Sequence, residues 1–201
     1  MRGLLIVFMS IVASSVNAGA IQSKSASANM APGCNIRLQV PPDARVTSSP
    51  ENRGSGGITV PNPRHLVSKE YIEPFYVGFA CYDVNDSSAQ RGWARKDEGN
   101  DQWQLNMSTE EQKARSKTVH FYPLKAINAT GWAVTVDDTI GEERNRGRRL
   151  HYCLIHPPKA LCGTGDMGYL SDFPKGDLTA YSLKILSSIE FIDDEPLSPS
   201  H

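Results

Sequence analysis

Four cysteines, Cys34, Cys81, Cys153 and Cys162, constrain this chain more than any other feature, because its first residues read as an export signal. Arg2 supplies a positive charge, and Leu4 to Ala13 forms an apolar run of about ten residues, the usual length of a signal-peptide core. Small residues then fit two cleavage sites, Val16-Asn17-Ala18 before Gly19 and Ala18-Gly19-Ala20 before Ile21. Crossing a bilayer takes about 20 apolar residues, and this run breaks at Ser14-Ser15. Residues 1–20 are therefore expected to be a signal peptide cleaved near Ala18 or Ala20, leaving a periplasmic or secreted protein. A lipid anchor would need a cysteine directly after the apolar run, whereas the polar stretch Ser23 to Asn29 separates Cys34 from it.

In an oxidising compartment, four cysteines read first as two disulfides, for which three connectivities exist. Strand parity chooses among them. Cys34 shares a face with Ile36, Leu38 and Val40, and Cys81 shares one with Val77 and Phe79, so both thiols point into one core. Cys153 and Cys162 flank Ile155-His156-Pro157-Pro158-Lys159, a reversal of the chain. The expected pairs are Cys34–Cys81 and Cys153–Cys162, with reduced catalytic thiols as the alternative.

Cleavage leaves about 180 residues, enough for one domain with its own core. Charged residues are 21% of the chain and the formal net charge is −1. That balance gives no overall field for nucleic acid or an anionic membrane. No later apolar run is long enough for stable membrane insertion.

Residues 21–33 are Ser/Ala-rich without periodicity and read as a flexible leader. Residues 35–40 alternate as a half-buried strand, 48–57 read as a loop by composition, and Ile58 to Val60 as a short strand. Tyr71 to Val84 suits one central strand broken at Glu73-Pro74. Ser108-Thr109-Glu110-Glu111 is a capping-box pattern that predicts a helix over 109–117. Strands follow at 118–127, 131–137 and 149–156, the last two forming a hairpin with one buried face and a turn rich in Arg and Glu. Asp177 caps a final helix with Leu178, Tyr181, Ile185, Leu186 and Ile189 on its core stripe. Residues 190–192 suit a short strand, and 194–201 a polar tail. The expected fold is α+β: residues 34–193 form one disulfide-stabilised domain, an antiparallel β-sheet of hairpins or a meander packed against one or two helices.

Several of these segments carry a family likeness. Gly131-Trp132-Ala133-Val134-Thr135-Val136, Arg149 to Ile155, and the helix ending Ile185-Leu186-Ser187-Ser188-Ile189-Glu190-Phe191 resemble the PsbP/MOG1/DcrB-like α/β sandwich group. The opening Val40-Pro41-Pro42-Asp43-Ala44-Arg45-Val46 is similar to the start of some members. This group includes small exported bacterial proteins, among them immunity proteins that neutralise toxins, so the resemblance implies binding rather than catalysis. The chain departs from lipoprotein members in lacking a lipidation site, and from most members in its four cysteines. A fold shared by many functions does not assign one.

Motifs of catalysis are sparse. Gly163-Thr164-Gly165-Asp166-Met167-Gly168 matches G-x-G-x-x-G by letter, but Tyr169 to Pro174 cannot supply the helix that a dinucleotide site requires, so a glycine-rich loop is expected. His65, His120, His151, His156 and His201 lack the convergent spacing of a zinc site. A Cys/His hydrolase would pair Cys81, Cys153 or Cys162 with His120 or His151. The turn carrying Arg144, Arg146, Arg148 and Arg149 is the most function-like surface, because arginine forms forked bonds to carboxylates and is enriched in binding hot spots. Trp93 and Trp103, in a polar region, are second candidates for partner contact. These features predict a non-enzymatic domain without cofactor or metal that binds a protein partner, most simply as an immunity-type inhibitor of a toxic effector in the bacterial envelope. A small periplasmic hydrolase and an envelope-assembly or ligand-carrying domain are the alternatives. Monomer and dimer both remain open.

Overall fold

A computed structural model describes residues 23–51, 54–61, 75–86, 92–97, 99–100 and 102–192. The expected signal peptide (1–20), the polar tail (194–201), residues 71–74, His65 and His201 lie outside them. The strands are β1 (Lys24–Ala28), β2 (Ile36–Val40), β3 (Arg45–Ser49), β4 (Ser55–Val60), β5 (Phe75–Asp83), β6 (Ala94–Lys96), β7 (Trp103–Leu105), β8 (Val119–Lys125), β9 (Thr130–Asp137), β10 (Gly147–His156), β11 (Lys159–Tyr169) and β12 (Glu190–Phe191). The helices are α1 (Thr109–Ala114) and α2 (Thr179–Ser187).

Seven strands form one antiparallel sheet in the order β3-β4-β5-β11-β10-β9-β8. Two meanders, β3-β4-β5 and β8 to β11, thus meet along the seam between β5 and β11. A second sheet has the order β1-β2-β12, and β6 pairs with β7 alone. Alternation sets the faces. Phe75, Val77, Phe79 and Cys81 of β5, with Leu150, Tyr152 and Leu154 of β10, line the inner face. Ile36, Leu38 and Val40 of β2 and Leu178, Ile185 and Leu186 at α2 cover that face and complete the main core. The cap of α2 is Leu178, which makes no side-chain cap bond, rather than the predicted Asp177; the Asp177 carboxylate, one residue earlier, accepts the Thr179 amide at 2.9 Å. Tyr181, half-buried, meets the Phe75 ring edge-on at 5.8 Å. The Ser108–Glu111 capping box opens α1, which stops at Ala114, short of the predicted 117.

Cys34 bonds to Cys81, and Cys153 to Cys162, the pairs that parity predicts. Cys153 and Cys162 occupy directly facing positions of β10 and β11. They lie on the outer face, whereas Cys81 lies on the inner face of neighbouring β5.

Several expectations change. The segment read as a flexible leader forms β1, because Lys24–Ala28 pairs residue for residue with β2 and so finds partners for its backbone. Of the loop expected at 48–57, Ser48 and Ser49 belong to β3 and Ser55-Gly56-Gly57 to its antiparallel partner β4, while 52–53 lie outside the described residues. The glycine-rich loop expected at 163–168 is the interior of β11, where Gly163 and Gly165 leave room for neighbouring groups. The β9–β10 hairpin buries both faces: Trp132, Ala133, Val134 and Thr135 are all buried, because Trp93, Trp103 and Leu105 around β6–β7 lie over Trp132, Val134, Cys153 and Ala160 in a second, smaller core. Strands dominate, so the α+β expectation holds only in coarse form, as an antiparallel sheet with two helices. Among the described residues, no helix is long and apolar enough to cross a membrane.

Candidate functional site

The connection between β9 and β10 projects beyond the sheet and divides into a clamped base and an open tip. At the base, Arg148 donates to both carboxylate oxygens of Asp137, the Nη2 contact being 2.9 Å, and to Asp177 at 2.7 Å. Its guanidinium lies 4.6 Å from the centre of the Phe173 ring. The side chains of Arg148 and Asp137 are only 12% and 11% exposed. The hydrogen bond to Asp137 holds the Arg148 pKa above its ordinary value, against the desolvation that burial imposes. The backbone continues the clamp: Asp138 N–H donates to Gly147 O at 2.9 Å, and Leu170 N–H to Arg146 O at 2.8 Å.

The tip is different. Gly141 adopts a φ of +90°, a conformation that side chains disfavour, and it turns the chain beside Ile140, which is 89% exposed. A 3₁₀ turn, Glu143–Asn145, carries Arg144 outward at 80% exposure, paired with Glu142 at 2.9 Å. Arg146 donates to the Gly141 carbonyl at 3.0 Å. Beside the tip is an open groove of about 830 Å³, with Thr118, Asp138, Glu143, Arg146 and Ser171 on its walls.

The four arginines therefore do not act together. Arg148 is spent within the fold, since an inward guanidinium is needed to neutralise Asp137 and Asp177. Arg149 projects from the outer face to Asp166 at 3.3 Å. Of the four, only Arg144 combines high exposure with a place at the tip, where Asp138, Glu142 and Glu143 stand nearby. Trp93 and Trp103 belong to the second core. Trp93 packs against His151 at 5.4 Å, and Lys96 lies 5.9 Å from the Trp103 ring. Ile140, the most exposed large apolar side chain among the described residues, was missed by the sequence reading. Its signal is a lone apolar residue between Asp137-Asp138-Thr139 and Gly141.

All four cysteines are paired in disulfides, so none is a free thiol in this structure. His120 and His151, the proposed bases, stand on opposite faces: His120 faces inner Thr135, while His151 shares the outer face with Cys153. His156 stacks on Phe191 at 4.8 Å. Among the described residues, no group of three or more His, Cys, Asp or Glu is placed to hold a metal ion. No protein-family model and no curated protein matches the chain.

Proposed function

We propose that this chain is an exported protein-binding domain, an immunity-type inhibitor that presents the β9–β10 tip to a toxic effector in the bacterial envelope. The observation that carries the reading is the contrast between a tip exposing Ile140 and Arg144 and a base locked by Arg148. A loop already held in one conformation loses little entropy on docking. An apolar side chain beside an arginine supplies an anchor and a directional contact, the usual ingredients of an energetic hot spot. The likeness to the PsbP/MOG1/DcrB-like group, whose members include immunity proteins, points the same way.

The test is co-expression with envelope-targeted reading frames that neighbour the gene. One of them should be toxic, relieved by the wild-type chain and unrelieved by Ile140→Asp with Arg144→Glu. Equal protection by wild type and that double variant would exclude the tip, and protection by neither would exclude the immunity role.

A further inference from the structure

The two disulfides have different surroundings. Cys34 lies just before β2 and Cys81 in β5, so their bond ties the small sheet to the large one, and both cysteines are buried in the main core. Cys153–Cys162 joins facing positions of β10 and β11, strands already paired residue by residue from Leu150–Gly165 to His156–Lys159. It therefore adds no connection that the hairpin lacks. Cys153 is buried, whereas Cys162 is partly exposed.

All three tryptophans of the chain belong to the small core around this second bond. Trp132 faces Cys153 across β9 and β10, and Trp93 and Trp103 pack on the same core from the β6–β7 cover. Among the described residues, β6 and β7 pair only with each other. A lone two-stranded hairpin is marginal in water, so packing on Trp132, Val134, Cys153 and Ala160 keeps this one in place. Bonded sulfurs stand about 2 Å apart, whereas unbonded heavy atoms need about 3.5–4 Å. The pairs Tyr152–Gly163 and Leu154–Leu161 hold the backbone on either side, so opened thiols must find that room by moving against the cover.

We propose that Cys153–Cys162 is a redox switch: a dithiol opens it at Cys162, Cys34–Cys81 stays closed, and the β6–β7 cover loosens. A thiolate of the dithiol attacks the Cys162 sulfur, the Cys153–Cys162 bond breaks, and Cys153 leaves as a thiolate that takes up a proton. The second thiol of the reductant then displaces Cys162 from the mixed disulfide. Two protein thiols result, and the dithiol is oxidised to its own disulfide. The proposal rests on neither the hairpin tip nor the immunity role.

Graded dithiothreitol added to the oxidised protein without denaturant, followed by N-ethylmaleimide and peptide mapping, tests it. Cys153 and Cys162 should be labelled at about tenfold less dithiol than Cys34 and Cys81. Over the same range tryptophan emission should shift to longer wavelength, as the indoles of the loosened core meet water, while far-UV circular dichroism stays unchanged. Cys153→Val with Cys162→Val removes the bond without leaving thiols, and its emission should not respond to dithiol. If that variant fails to fold, the labelling order and emission of the wild type still decide. Labelling of Cys34 and Cys81 first, labelling of all four together as the dichroism is lost, or opening of Cys153–Cys162 with unchanged emission would overturn the proposal and leave the bond a plain staple.

Discussion

The Tyr152 hydroxyl donates to the backbone carbonyl of Gly78 at 3.1 Å, reaching past β11 from β10 to β5. Gly163 stands between them. A Cβ there would overlap the Gly78 carbonyl oxygen and lie 2.9 Å from the Tyr152 hydroxyl oxygen. Burial pushes the Tyr152 pKa far above its ordinary value, so the phenol remains a donor. Gly163→Ala should therefore cost roughly 2–3 kcal/mol by forcing the central strands apart. Tyr152→Phe, which loses only the hydrogen bond, should cost about 1 kcal/mol. Urea unfolding of both variants checks the order; a wild-type midpoint for Gly163→Ala would show that the seam can yield.

The hairpin base gives a second prediction. Arg148→Ala would leave Asp137 and Asp177 without their cation in a mostly buried setting, at a cost of roughly 2–4 kcal/mol. Arg148→Lys should rescue only part of this, because an ammonium cannot form the forked pair with Asp137. Arg144→Ala, at an exposed pair, should leave the thermal midpoint unchanged within error. Equal effects at positions 144 and 148 would refute the division into tip and base.

The two disulfides should differ in worth. Cys34–Cys81 spans a sequence separation of 47 residues and Cys153–Cys162 one of 9. Loop-closure entropy then predicts a loss of about 4 kcal/mol for the paired alanine variant of the first and about 2.7 kcal/mol for the second. Denaturant midpoints of the two double variants under oxidising conditions test that order.

His151 sets a pH dependence. Burial, and secondarily the Arg149 guanidinium, lowers its folded pKa below the ordinary 6.5. Below about pH 6.5 the unfolded chain takes up this proton first. The His151 contribution is thus fully present above that pH, declines as the pH falls towards the folded pKa, and then levels off. His151→Asn should flatten this part of a stability-against-pH curve, and an unaltered slope would assign the dependence to another group.

The strands whose faces differ in polarity were legible in the sequence. β2, β5, β9, β10 and the stripe of α2 were found from alternation or helical spacing, and the same parity found both disulfides. What escaped was written in other terms. β11 looked like a loop because glycine usually marks a turn, yet Gly163 is there to accommodate Tyr152, whose reach is a fact of three-strand register. β1 has little apolar signal because Lys24 to Ala28 is held chiefly by backbone pairing to β2. The second buried face of β9 depends on the β6–β7 hairpin, about 30 residues upstream, which local periodicity does not register. At the candidate site the arginine-rich turn was visible, but not its sorting: only contacts to Asp137, Asp177 and Phe173 reveal that Arg148 faces inward.

The seam between β5 and β11 has a consequence for assembly. The chain is made amino-terminus first, so Cys34, Cys81 and β5 all precede β11. A chain that has reached only β5 holds half a sheet whose β5 edge lacks its partner β11. The other half builds locally, since the β8 to β11 meander needs only short-range turns and its own nine-residue bridge. The two halves of the sheet join along one strand edge, β5 against β11. Before that edge is covered, β5 offers the unpaired backbone to which a second unfinished copy can add.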